Sequence, residues 1–264
     1  MSVLVKSLHF EKLTFHYEGQ EPLLKNVDFE FPISKRGVQD NAAACRALDK
    51  RGTASSQQAR VVVIRGAQGA GSSTVMQILA GLQTPTLGSY LINGVPVENM
   101  SFEEFLPFRL RMGYGFDTGG LLSNRTLFEN LVLPLNYHKM YSPQEAEKRV
   151  LALMKRFQLI NFKDLRVAYV SASLRKMTVL LRSIIMDPEI LFLDDPNIRI
   201  SKEAQQMYAE LLRELINNGT LHTIFIASFE ESFFSYFDYT TIYLEERQLF
   251  NTERCCQKII AISQ

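Results

Sequence analysis

The run Val61-Val62-Val63-Ile64 ends in Arg65-Gly66, passes through a glycine-rich turn, and enters a stretch of helical spacing from Thr74 that stops at Gly81. Unbroken β-branched residues without alternation read as a strand buried on both faces of a parallel sheet. A strand, a glycine loop and a helix in that order point to an α/β core. Two further runs fit it. Ile190-Leu191-Phe192-Leu193 ends in Asp194-Asp195-Pro196. Thr223–Ala227 follows a helical pattern whose apolar positions include Met207, Leu211, Leu212 and Leu215, with Gly219 as its stop. Between the first two strands lie mainly helices, one opening with the cap Ser142-Pro143-Gln144-Glu145. Residues 8–17 and 23–33 alternate imperfectly, like half-buried strands. From Ser34 to Arg60 large apolar residues are scarce and basic residues recur, which predicts a long surface insertion.

Composition narrows the function. The 264 residues include 29 basic and 28 acidic side chains, a formal charge of +1. That balance argues against a protein whose main affinity is for a nucleic-acid backbone or an anionic membrane surface. No run approaches the ~18 apolar residues of a membrane span, and Met1–Phe10 has no signal-peptide core. Cys45, Cys255 and Cys256 form neither a disulfide framework nor a metal-ligand spacing, and the four histidines do not cluster. A soluble, cytosolic chain is expected.

The turn Gly66-Ala67-Gln68-Gly69-Ala70-Gly71-Ser72-Ser73-Thr74 has the frame of a phosphate-binding loop, G-x-x-x-x-G-K-[ST], with Ser72 in place of the lysine. Glycines in such a loop let backbone amides approach phosphate oxygens, and the hydroxyl binds Mg²⁺. Met112–Asp117, Leu121–Asn130 with Leu133-Pro134-Leu135, Val170–Leu174, Arg182 and Met186–Leu191 follow it in an order that resembles the ATP-binding subunits of ABC transporters from about Leu8 to Phe250. Within that family the Leu121–Leu135 segment is most similar to the lipid, lipoprotein and cell-division groups, with a lean toward lipid transport. The resemblance implies a P-loop NTPase fold of ABC type: a parallel-sheet core, an antiparallel β subdomain and a helical subdomain at about 118–182. All of 1–264 then forms one nucleotide-binding domain, with the insertion at about 34–60.

It also implies roles. Tyr17 stands at the adenine-stacking position. Gly66, Gly69, Gly71, Ser72, Ser73 and Thr74 form the phosphate cradle. Ser73 and Asp194 hold Mg²⁺, and Asp195 takes the place of the catalytic glutamate, one methylene shorter. Asp117 stands for the glutamine that senses metal and water. Ser171 remains of a signature whose glycines are Ala172 and Ser173, and Ser201 falls near the aspartate of the dimer-contact loop. Ser228 or Phe229 takes the place of the switch histidine. A unit charge ~4 Å from a phosphate is worth ~4 kcal/mol at an effective dielectric of 20. Losing the lysine and gaining Asp117 leave the surroundings of the phosphates about two charge units more negative than the family pattern, which opposes polyphosphate binding.

The expected function is a catalytically impaired ABC ATPase-like subunit with weak or absent ATP and Mg²⁺ binding and a structural or regulatory role. It docks on a membrane permease at the cytoplasmic face and pairs with itself or with an active ATPase. The alternatives are an active ATP-hydrolysing subunit powering lipid transport and a soluble pseudo-ATPase scaffold.

Overall fold

Val61 and Val63 belong to one buried apolar layer, and Val62 and Ile64 to a second. Successive side chains of a strand point to opposite faces, so this split is what an unalternating run requires. The computed structural model describes residues 5–33, 60–230 and 232–251. The expected insertion, apart from Arg60, and all three cysteines lie outside the described residues.

In chain order the first elements are β1 (Leu8–Phe15), β2 (Leu24–Phe31), β3 (Arg60–Gly66), α1 (Ser72–Leu79), β4 (Leu87–Ile92) and β5 (Val95–Pro96). Next come α2 (Phe102–Arg109), β6 (Met112–Gly115), α3 (Leu127–His138), α4 (Pro143–Arg156) and α5 (Ala172–Ile184). The chain continues through β7 (Ile190–Asp194), α6 (Lys202–Asn217), β8 (Thr223–Ala227), β9 (Tyr239–Glu245) and β10 (Gln248–Asn251). An antiparallel sheet has the order β2-β1-β4-β5, and the larger sheet has the order β10-β9-β3-β8-β7-β6. In the latter, all pairs from β9 to β6 are parallel.

One core lies between the two sheets and includes α1, with Phe10, Phe31, Phe192 and Phe225 among its buried side chains. The rings of Phe192 and Phe225 stack at 5.3 Å. The other core carries residues of α3, α4, α5 and α6 against the opposite face of the parallel sheet. The broken alternation of residues 8–17 has a local cause. Pairing of β1 with β2 shifts register between Phe10 and Leu13, where Lys12 has φ 46°. A bulge inserts a residue and flips the inward set.

Among the described residues, three helices begin with reciprocal capping boxes, Ser101/Glu104, Thr126/Glu129 and the expected Ser142/Glu145. Helix α5 lies so close to β6 that a Cβ on Gly113 would stand 2.0 Å from the carbonyl oxygen of Ser183. Gly113→Ala is therefore expected to cost ~1–3 kcal/mol as overpacking against backbone. Urea denaturation at constant m-value measures it, and an unchanged midpoint contradicts the close approach.

Candidate functional site

At the C-terminal end of β3 the chain turns through residues 67–71 into α1. Gly69 and Gly71 have φ of 81° and 108°, values that L side chains rarely adopt. Ala70 N–H donates to Ala67 O at 2.9 Å, and Gly71 O accepts the first helical bond, from Val75 N–H. The first amides of a helix have no intrahelical acceptor, and no side-chain cap or acidic residue occupies this end of α1. The loop thus offers a row of backbone donors for an anion.

The loop opens into a cleft of about 330 Å³, lined also by Tyr17, Gln20, Leu23, Asp194, Asp195, Ser228 and Phe229. Ser73 Oγ donates to Asp194 Oδ1 at 2.8 Å, and Tyr17 Oη lies 3.2 Å from Thr74 Oγ1. Burial raises the Asp194 carboxyl to about 6, with the Ser73 hydrogen bond opposing. Burial also raises Asp195, against hydrogen bonds from Ser228 and the Phe229 backbone. Among the described residues, none that lines the cleft is basic.

Two expected site residues do not line this cleft. Ser171 caps α5, accepting from Leu174 N–H at 3.3 Å. Asp117 lines a neighbouring cleft with Lys176 and Arg199. Its Oδ1 stands 3.1 Å from Arg199 Nη1 and 3.7 Å from Lys176 Nζ. The expected charge excess is corrected accordingly: the Asp117 carboxylate has two cationic partners. Parallel pairing of Gly115 with Leu193 explains this, because it sets the residues after β6 beside those after β7. Burial lowers the Lys176 ammonium to about 8, against the attraction of Asp117, Asp194 and Asp195.

The family model described as ABC transporter matches residues 51–197, more than half of the chain. The chain belongs to the ABC transporter family. Its ABC relatives include the ATP-binding protein YtrE of Bacillus subtilis (strain 168), 26% identical over 193 residues, covering 73% of this chain and 81% of that protein. The methionine import ATP-binding protein MetN of Mannheimia succiniciproducens is 31% identical over 198 residues, 75% of this chain but only 54% of MetN. The lipoprotein-releasing system ATP-binding protein LolD of Buchnera aphidicola is 29% identical over 167 residues, covering 63% of this chain and 72% of LolD. Among solved structures, a dimeric ATP-binding cassette in a post-hydrolysis state with ADP and Pi superposes with a TM-score of 0.71 at 21% identity, covering 92% of this chain and 98% of that one. That likeness establishes the ABC fold.

The residues present fit a magnesium nucleotide in part. Ser73 and Asp194 supply two hard oxygen donors at 2.8 Å, the chemistry Mg²⁺ takes, and the loop supplies backbone donors. Among the described residues lining the cleft there is no side-chain cation.

Lys176, Arg199 and Asn197 did not stand out in the sequence. Asn197 is buried, accepts from Ser228 Oγ at 3.0 Å and donates to Glu230 Oε2 at 2.8 Å, tying together the loops after β7 and β8. Lys176 did leave a signal. It shares the buried stripe of α5 with Val179, Leu180 and Ser183, and a lysine at helical spacing among such residues marks a buried charge.

Because the folded-state pKa of Asp194 lies above the ordinary carboxylate value, the folded protein binds more protons between about pH 4 and about 6. Stability present below that window is lost as pH rises through it. Asp194→Asn is expected to flatten most of this fall and, without divalent cations at pH 7, to unfold ~1–3 kcal/mol later than the parent. Denaturation of parent and variant across pH measures it, and a stability difference between the two that does not grow from about pH 4 to about 6 contradicts the assignment.

Proposed function

We propose that the chain is the ATP-binding subunit of a membrane transport complex whose own nucleotide site binds Mg·ATP weakly and turns it over slowly, leaving it a structural or regulatory role. The observation that carries this reading is the cleft itself, lined, among the described residues, by two carboxylates and no basic side chain. A polyphosphate there meets backbone amides and like charge.

In this reading Gly66, Gly69 and Gly71 shape the cradle, Tyr17 faces the base, and Ser73 with Asp194 would hold the metal. Bound magnesium would supply the neutralising charge on the phosphates. Asp195 would hold the proton of an attacking water from a shorter side chain than glutamate, and misplacement near ~1 Å costs ~100-fold. Phe229, more than half exposed at the rim of the cleft, brings no polar group to the γ-phosphate. Ser171 would contribute from an opposing subunit, across an interface that Ala172 and Ser173 crowd.

The unit is one nucleotide-binding domain over 1–264, with a helical subdomain at about 118–182 and an insertion at about 34–60. It pairs with itself or with an active ATPase and docks on a permease at the cytoplasmic face of a membrane. No helix among the described residues is long and apolar enough to cross one. The Leu121–Leu135 segment favours lipid or lipoprotein cargo. A second reading, an active ATPase, draws on the Ser73–Asp194 pair at 2.8 Å and on the neutralisation of Asp117 by Lys176 and Arg199.

Thermal shift and turnover with Mg·ATP separate the readings. A ligand at 100 times its Kd adds ~2.7 kcal/mol, so the parent is expected to shift little at millimolar Mg·ATP. Ser72→Lys is expected to bind ~10- to 1,000-fold more tightly. Turnover in the parent that disappears in Asp195→Ala establishes the active reading instead.

A further inference from the structure

Lys176 projects from α5 toward the C-terminal ends of β6 and β7, beside the cleft and not in its lining, and its side chain is 1% exposed. An ammonium has three protons and no acceptor, and buried charge without partners is strongly disfavoured. Here the partners are carbonyls at the ends of two neighbouring strands. Nζ donates to Phe116 O at 3.0 Å, to Asp194 O at 2.9 Å and, at 3.4 Å, to Asp117 O. The Asp117 carboxylate stands 3.7 Å away and supplies the opposite charge. From the loop after β7, Arg199 Nη1 reaches the same carboxylate at 3.1 Å and the Asp117 carbonyl at 3.3 Å. Arg199 holds this position with φ 68°, a conformation that few L residues adopt. Three segments distant in sequence therefore meet on one aspartate: the loop after β6, helix α5 and the loop after β7.

We propose that Lys176 is a positioning residue of the nucleotide site: it pins the ends of β6 and β7 together and, with Arg199, takes Asp117 as its counter-ion, making the loop after β6 a fixed ion-pair strut. What the strut positions, the backbone and carboxylate of Asp194 and the adjoining Asp195, rests on the reading of this cleft as a nucleotide site. The pairing itself does not. Asp117 then acts through its two cations and not as a ligand for metal or water, and Lys176 compensates a carboxylate where the family resemblance leads one to expect a neutral glutamine.

The test needs no nucleotide. In the full chain labelled with ¹⁵N-lysine, one ammonium resonance is expected to be protected from exchange with water. It is expected to vanish in Lys176→Met and to move in Asp117→Asn and in Arg199→Gln, the last being a partly exposed residue whose loss leaves the core intact. Lys176→Met is expected to lower Tm by ~5–15 °C. The pair Lys176→Gln with Asp117→Gln, which removes both charges and keeps an amide donor for the carbonyls, is expected to regain at least half of that loss. If Lys176→Met does not fold, the Arg199→Gln and Asp117→Asn shifts of the resonance decide. A parent with no protected ammonium, or a double variant whose losses simply add, overturns the proposal. A protein with the resonance and the coupling that binds no Mg·ATP sustains the strut and overturns only the nucleotide reading.

Discussion

Parallel pairing of β3, β8, β7 and β6 is the constraint on which the rest of the molecule depends. Parallel strands need covered faces and long crossovers, which accounts for an antiparallel sheet with α1 on one side and helices α3 to α6 on the other. It also places the C-terminal ends of the strands side by side. The loop after β3, Asp194 at the end of β7 and Asp195 just beyond it, Ser228 and Phe229 after β8 and Asp117 after β6 all emerge at one edge. Such an edge is where open α/β sheets bind ligands.

Charge at that edge is divided between two neighbouring compartments. The cleft over α1 has two carboxylates whose affinity for protons is raised by burial, opposed by the Ser73 and Ser228 hydroxyls, the Phe229 backbone and the nearby Lys176 ammonium. Beneath it, Asp117 is matched by Lys176 and Arg199. The cations are thus spent on holding the framework, while the phosphate cradle has none of its own. A residue-by-residue comparison with the family pattern merges these two compartments and counts the Asp117 carboxylate without its two cationic partners.

The loops are also tied to one another by neutral bonds. Asn197 links the segment after β7 to Ser228 and Glu230 after β8, and Gln205 of α6 donates to the Asn197 carbonyl at 3.1 Å. Asp195, with φ 41°, sits inside this network, its amide donating to Ala227 O at 2.8 Å. Backbone strain of this kind persists where the surroundings over-determine it. The edge is therefore organised by contacts between loops as much as by the strands that deliver them.

Local physics made much of this legible from the amino acids. The run Val61–Ile64 announces a strand covered on both faces, Ser142 and Glu145 announce a helix start, and Gly66–Thr74 announces a tight glycine turn from strand to helix, because in each case the interacting groups are near neighbours in the chain. Motif order likewise is what raises the expectation of lysine, glutamine and histidine positions at Ser72, at Asp117 and at Ser228 or Phe229. The register break at Lys12 and the partners of Asp117 were decided by tertiary structure. The spacing of α5 places Lys176 in an apolar stripe, but its partners exist only because parallel pairing carries the ends of β6 and β7 over it. A sequence specifies which charges exist, whereas the balance among them depends on distance and burial, and only the folded chain sets those.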